Sequence, residues 1–493
     1  MTSARRATRP AAAPVVRDEP AVRGAHRVPG RVAPGTVTPA TGIPLADLMA
    51  AVNRTAEAPT PPPTPEQSTG HAQPAQPAQP DPPDLRPLRA PAEGVPDLVA
   101  TRSALEAAAA ALAAGTGPVA VDAERASSYR YGQRAYLVQL RREGAGSFLI
   151  DPIAVDGDLG LIGDALRGVE WVLHAADQDL PCLAEAGMHP DALFDTELAA
   201  RLLGRARVGL SAVVADELGW ELAKEHSAAD WSVRPLPHDW LVYASLDVEL
   251  LVQLRDQFAA ALNEAGKAHW ARQEFEHVRT APPKPAPIDP WRRLPHLSTV
   301  TSPRGLAIAR EMWQARDDLA KRRDRSPTRV LPSASIVAAA KRVPRTAAQL
   351  GALPEFSGKG TRAHVPYWFD AVARALALPD SDLPPRRAPR EPGTLPQPRA
   401  WRDLRPEANE RLDVVRDVVR PMAERLQLPQ ENLLQPAAQK ALAWSGLTGP
   451  GGAAVPITPQ AVAERLAELG ARPWQIDLVA KPLADALAAQ RDQ

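Results

Sequence analysis

The sequence runs to 493 residues, with 58 basic and 58 acidic side chains, 54 prolines and an aromatic content of 4%. That length allows roughly two to four domains at ~100–200 residues each, while proline at about twice its ~5% average implies that part of the chain buries too little surface to fold. The single cysteine, Cys182, excludes an intramolecular disulfide or a multi-cysteine metal cluster and suits a reducing, cytoplasmic setting. No run of ~18 apolar residues offers a membrane span, and the opening MTSARRATRPAAAP lacks the apolar stretch of a secretory signal.

The zero net charge conceals a separation. Counting Asp, Glu, Lys and Arg gives −11 over residues 101–280 and +7 over 301–380. An acidic module followed by a basic one is expected if the first gathers carboxylates around cations and the second meets phosphates; solvated surface charge is the plainer alternative.

In chain order, residues 1–94 carry PTPPPTPEQ, AQPAQPAQP and DPPDLRP, which favour polyproline II and mark a disordered arm. Proline clusters at 281–290 and 383–400 cut the remainder into blocks 95–278, 297–378 and 403–493, joined by linkers 279–296 and 379–402. The first block alternates short β-rich runs with helical ones: PVAVDAE, AYLVQLRR, SFLIDPI and EWVLHA read as strands, DLGLIGDALRG as a helix. From Gln178 onward it reads as mostly helical, including one long stretch from His238 to about Ala265. An α/β domain with a central sheet covered by helices follows. The two later blocks give only helix-period segments separated by Pro and Gly turns, hence two small all-α domains.

Three acidic elements stand out in the α/β block. Asp122 and Glu124 sit two apart on an apolar strand and project from one face, where like charges need a strong compensating cation. At EWVLHAADQDL, Asp177 or Asp179 lies at the carboxyl end of a strand, where α/β folds place ligands; helix capping explains an Asp there equally well, and spacing does not choose between the two. In HDWLVYASLDVELL, Tyr243 and Asp247 fall four apart on one helix face. In the basic block, Lys321, Arg322, Arg323, Arg325 and Arg329, with Lys341, Arg342 and Arg345, offer phosphate contacts that position a nucleic acid without reading its sequence. Trp313, Tyr367 and Trp368 offer stacking faces but at helical spacing read as core.

These motifs, D-x-E on a strand, H-A-x-x-x-D-L at His174 to Leu180, and Y-x-x-x-D, resemble the ribonuclease D branch of the DEDD-type 3′→5′ exonucleases with a catalytic tyrosine. DWSVRPL at 230–236 and FDTELAARLLG at 194–204 are similar to that group, 301–378 resembles its helical HRDC domain, and 403–490 a second such domain. The resemblance implies a ribonuclease H-like α/β fold and selects Asp179 over Asp177. It makes Asp122, Glu124, Asp179 and Asp247 ligands of two divalent ions, Mg²⁺ or Mn²⁺, Tyr243 a water-positioning phenol, and His174 structural. The implied activity is 3′→5′ hydrolysis of RNA ends, tRNA precursors among them, by a cytoplasmic monomer; action on DNA, or an inactive RNA-binding adaptor, are the competing readings. The sequence departs from the family at loop 224–231, where Gln and Ser are usual and Ser227 and Ala229 stand.

Overall fold

The computed structural model describes residues 85–223, 226, 228–283, 285–388, 394–447 and 455–491. Most of the proline-rich arm therefore lies outside the described residues.

Six strands form a mixed sheet: β2 (Leu98–Val99), β3 (Thr116–Arg125), β4 (Ala135–Glu143), β5 (Gly146–Ile150), β6 (Glu170–Leu173) and β7 (Ala192–Asp195), in the order β2-β5-β4-β3-β6-β7. β3, β4 and β5 pair antiparallel; β6 and β7 extend the sheet in parallel from β3. The antiparallel half follows from tight connections, since Gly144 and Gly146 at positive φ turn β4 back into β5. The sheet is covered by α1 (Arg102–Ala114), α2 (Gly160–Ala165), α3 (Leu180–Glu185), α4 (Thr196–Leu202), α5 (Leu210–Leu218), α6 (His238–Glu249), α7 (Leu251–Glu264) and α8 (Ala268–Arg279). Thr101 caps α1 through its hydroxyl, and Leu105, Ala108 and Leu112 form its buried stripe.

The helical block that follows contains α9 (Pro303–Arg323), α10 (Pro327–Val330), α11 (Ser333–Arg342), α12 (Ala347–Gly351), α13 (Lys359–Arg362) and α14 (Val365–Ala377) around its own core of Ile308, Met312, Ile336, Phe356 and Trp368. Gly305 lets α9 approach α11, because a Cβ there would collide with the Ala340 carbonyl. The last block, α15 (Trp401–Leu404), α16 (Pro406–Arg425), α17 (Gln430–Leu433), α18 (Pro436–Ser445), α19 (Pro459–Glu468) and α20 (Pro473–Arg491), is built differently. Val415, Val419, Leu433, Trp474 and Leu483 belong to the same continuous core as the sheet. Buried Glu274 on α8 accepts from Arg472 Nε at 2.7 Å and from Trp474 Nε1 at 2.8 Å, and Trp270 stacks on Trp474 at 4.8 Å. Lys267 Nζ donates to the Leu202 and Leu426 carbonyls, both at 2.7 Å, bridging the C-terminal ends of α4 and α16.

Several expectations shift. The arm ends before residue 94: β1 (Arg86–Leu88) pairs in parallel with β8 (Trp220–Leu222) as a separate two-stranded sheet. The region after Gln178 holds β7 and β8, which the helical reading passed over. β7 is only four residues long and nearly all apolar, and such a run carries no alternation to reveal it. The stretch from His238 divides at Leu250, whose φ of −110° and ψ of 1° leave the helical region.

Candidate active site

β3 pairs with β4 so that Asp122 faces Gln139 and Glu124 faces Leu137 across the ladder. Directly opposed residues share a sheet face. Asp122 and Glu124 therefore emerge on the side that carries the fully buried Gln139, whose amide has no hydrogen-bond partner among the described residues. A register shift follows between Glu124 and Arg125, the kind of bulge that re-aims a side chain at the rim of a site.

At the end of β6 the chain turns through Ala175, held at φ +58°, and a short 3₁₀ turn, so that Asp179 takes the N-cap position of α3 without using its carboxylate as a cap. The turn is held from 20 residues away in sequence. The buried Asp195 carboxylate accepts from the Ala175 and Ala176 amides at 3.2 and 2.8 Å while also capping α4 through Glu197 N and Leu198 N. This frees Asp179 to face the pocket, where it pairs with Arg125 at 3.4 Å. Asp177, by contrast, is exposed. His174 Nδ1 lies 2.9 Å from Thr196 Oγ1, and burial lowers its pKa to about 4, as suits a neutral structural imidazole. Cys182 is buried, and its thiol is pushed up to about 12 by that burial and by Asp179.

α6 supplies the third wall. Tyr243 and Asp247 stand one turn apart and their side chains share a hydrogen bond. The segment before α6 forms its support: Trp231 is fully buried 5.3 Å from the Trp240 ring, and Arg234 grips Asp151 through Nε at 2.6 Å and Nη2 at 2.7 Å, with Nη2 also reaching the Tyr136 carbonyl. DWSVRPL is thus a structural brace. Of the departing loop, Lys224, Glu225 and Ser227 lie outside the described residues, and Ala229 packs beside Trp231.

The pocket they enclose has a volume of about 700 Å³ and is lined by Asp122, Glu124, Arg125, Asp179, Tyr243 and Asp247 among others. Asp122, Glu124 and Asp247 each offer a carboxylate oxygen, all within 4.8 Å of one another, while Asp179 stands beside this trio on Arg125. Burial is the main force on all four, and repulsion from neighbouring carboxylates adds to it at Glu124, Asp179 and Asp247. Asp122 rises to about 6, Asp179 to about 8 and Glu124 to about 10, while Asp247 is held well above the usual carboxylate range despite the Tyr243 hydrogen bond. Burial, with Asp247 and Glu124 close by, also pushes the Tyr243 phenol up, so it stays protonated. Among the described residues that line the pocket, one arginine stands against four acids, a surplus of negative charge. An all-oxygen donor set with that surplus and an unpartnered amide behind it fits hard divalent cations.

The basic residues divide. Lys321, Arg322, Arg323 and Arg325 are exposed around the end of α9, with Arg322 donating to Tyr367 Oη and Arg323 beside His364. Lys341 and Arg342 in the last turn of α11, and Arg345 beyond it, are also exposed. Arg329 donates instead to the Ser128 carbonyl at 2.7 Å and covers the Tyr129 ring at 4.0 Å. Trp368 is fully buried, and Trp313 and Tyr367 pack against the same core. Sequence reasoning missed Arg125, Gln139 and Asp195. For Asp195 a signal existed in FDTEL, an Asp set to cap a helix that starts at a strand end.

Residues 96–263 match the family model for a 3′-5′ exonuclease, 305–372 that for the HRDC domain, and 394–487 that for a 3′ to 5′ exonuclease C-terminal domain. Ribonuclease D of Pseudomonas paraeruginosa is 30% identical over 332 residues, covering 66% of this chain and 84% of that protein. A crystal structure of a protein from Bifidobacterium adolescentis superimposes with a TM-score of 0.73 at 38% identity, over 82% of this chain and all of that one. Escherichia coli RNase D shares the fold, with a TM-score of 0.56 at 24% identity over 76% of this chain and 98% of that one.

Proposed function

The chain belongs to the ribonuclease D family and is a 3′-5′ exoribonuclease, and from that premise we propose how its residues divide the work. Asp122, Glu124, Asp179 and Asp247 hold two divalent ions, Mg²⁺ or Mn²⁺. The observation that carries this is the trio of carboxylates converging within 4.8 Å in one pocket with a single arginine beside them. When bound, divalent cations supply the charge that acidifies a water and neutralises phosphodiester oxygens. Tyr243, kept as a phenol, orients the attacking water by hydrogen bond and does not act as the base. Water adds at phosphorus, the 3′ oxygen of the penultimate nucleotide leaves, and a nucleoside 5′-monophosphate is released. Asp195 keeps Asp179 in place, and Arg125 holds its carboxylate toward the pocket.

RNA with a free 3′ end enters this pocket, and precursors of tRNA suit an enzyme whose HRDC block offers Lys321, Arg322, Arg323, Arg325, Lys341, Arg342 and Arg345 as exposed phosphate contacts. A cytoplasmic setting suits the single cysteine, which is buried; among the described residues no helix is long and apolar enough to cross a membrane.

The test is digestion of a 5′-labelled 3′-extended RNA and of the matching DNA strand, with Mg²⁺ or Mn²⁺ and then with EDTA. Stepwise shortening from the 3′ end of RNA, stopped by EDTA and by Asp122→Ala, is expected. Turnover retained by Asp122→Ala or Asp247→Ala overturns the ligand assignment, and equal rates on DNA overturn the RNA preference.

A further inference from the structure

We propose that the HRDC block positions a wall of the catalytic pocket, with Arg329 and Asp324 as positioning residues rather than RNA contacts. The wall is the segment 126–134, which leaves β3 directly after the D-x-E motif and returns as β4. It belongs to no helix or strand, and its own backbone closes a single turn, Tyr129 N and Arg130 N both donating to the Ala126 carbonyl at 2.8 and 2.7 Å. On its inner side the segment lines a second cavity of about 250 Å³ together with Glu124 and Arg125, and the Tyr129 hydroxyl donates to the carbonyl of Ala228, another residue of that lining, at 3.2 Å.

On its outer side, four successive residues are gripped by α9, α10 and the turn between them. Arg329 donates to the Ser128 carbonyl at 2.7 Å and lies over the Tyr129 ring at 4.0 Å. Ser326 N donates to the Tyr129 carbonyl at 2.9 Å. Asp324 accepts from Tyr131 N at 3.3 Å and pairs with Arg130 at 3.7 Å and Arg134 at 3.6 Å, while Asp317 accepts from the Tyr131 hydroxyl at 3.1 Å. The two acids carry the argument. A surface built only to attract phosphate gains nothing from carboxylates beside Lys321, Arg322 and Arg323, because they repel the ligand. They make sense as anchors for a segment with little structure of its own, one step along the chain from Glu124 and Arg125. Displacing such a wall misplaces the acids it adjoins.

This inference rests on the nuclease site proposed above, and the experiment separates the two. Full-length wild type, Arg329→Ala, Arg329→Lys and Asp324→Asn are compared on a dinucleotide and on a 20-nucleotide RNA. The dinucleotide has a single phosphodiester, which must sit at the carboxylates and leaves none for Arg329. Positioning predicts that Arg329→Ala lowers kcat on both substrates by about tenfold, with unchanged salt dependence and with faster amide exchange confined to 126–134 and the seam. Arg329→Lys, which keeps the cation over Tyr129, should restore part of the loss. Asp324→Asn should also slow turnover, although removing a negative charge would by electrostatics alone tighten RNA binding. The inference is overturned if Arg329→Ala leaves dinucleotide turnover and amide exchange at wild-type values and only raises KM for the 20-mer with a shallower salt slope. A wild type that releases nothing from either substrate overturns the nuclease reading; the exchange result still judges the seam, acceleration supporting it and no change refuting it.

Discussion

Two of the regions that enclose acidic side chains resolve the burden in opposite ways. At the joint between α8 and the C-terminal block, Glu274 meets a dedicated arginine and an indole donor, both within 2.8 Å. In the catalytic pocket four acids share Arg125, which lies 3.4 Å from one of them. A buried acid with its own partners is a fastener, since removing one partner leaves an uncompensated charge. Acids crowded around one shared arginine are a store of unfavourable free energy that a cation can release, which is why perturbed pKa values gather at functional sites.

The strongest way to break this contrast is to neutralise one acid in each region. Asp247→Asn should lower nucleotide release by about 10³-fold or more while raising the melting temperature of the metal-free protein. Loss of stability together with activity would show that the pocket acids are fasteners too. Arg472→Ala should do the reverse, destabilising the fold by about 3–5 kcal/mol while the folded fraction keeps its kcat; denaturant titration alongside turnover reads both. A pH series sharpens the comparison further. The pocket acids hold protons more tightly folded than unfolded, so the unfolded chain ionises first and metal-free stability falls as pH rises from about 4 through about 6 and about 8, where Asp122 and Asp179 ionise. Saturating Mg²⁺ should flatten that slope, and thermal melts with and without EDTA at pH 5.5 and 8 measure it. The smallest effect is expected at an exposed charge outside both regions: Lys341→Ala should stay within about 0.5 kcal/mol of wild type in stability and reduce the salt slope of RNA binding by about 1.

How much of this was legible in the sequence depends on how far each cause lies from its effect along the chain. The D-x-E pair and the Tyr243/Asp247 pair each sit on one element, so the periods of strand and helix suffice to put them on one face. Asp177 and Asp179 could not be separated by spacing, because the turn that aims Asp179 is held by Asp195, 20 residues later. Arg125 and Gln139 were silent for a related reason: one depends on a register shift and the other on which strand lies opposite. The α/β core and the helical blocks were visible in composition and periodicity. That the last block shares its core with the sheet was not, since Lys267, Glu274 and Trp474 meet partners more than 150 residues away.

That shared core makes the HRDC block a detour. The backbone leaves one hydrophobic body after α8, builds a separate one, and rejoins the first at α16. The exposed pair Arg386 and Arg387 lies on the return path. A protein nicked there by trypsin should elute from gel filtration as a single species, its two fragments parting only under denaturant, because covalent continuity through the detour is not what keeps the ends together.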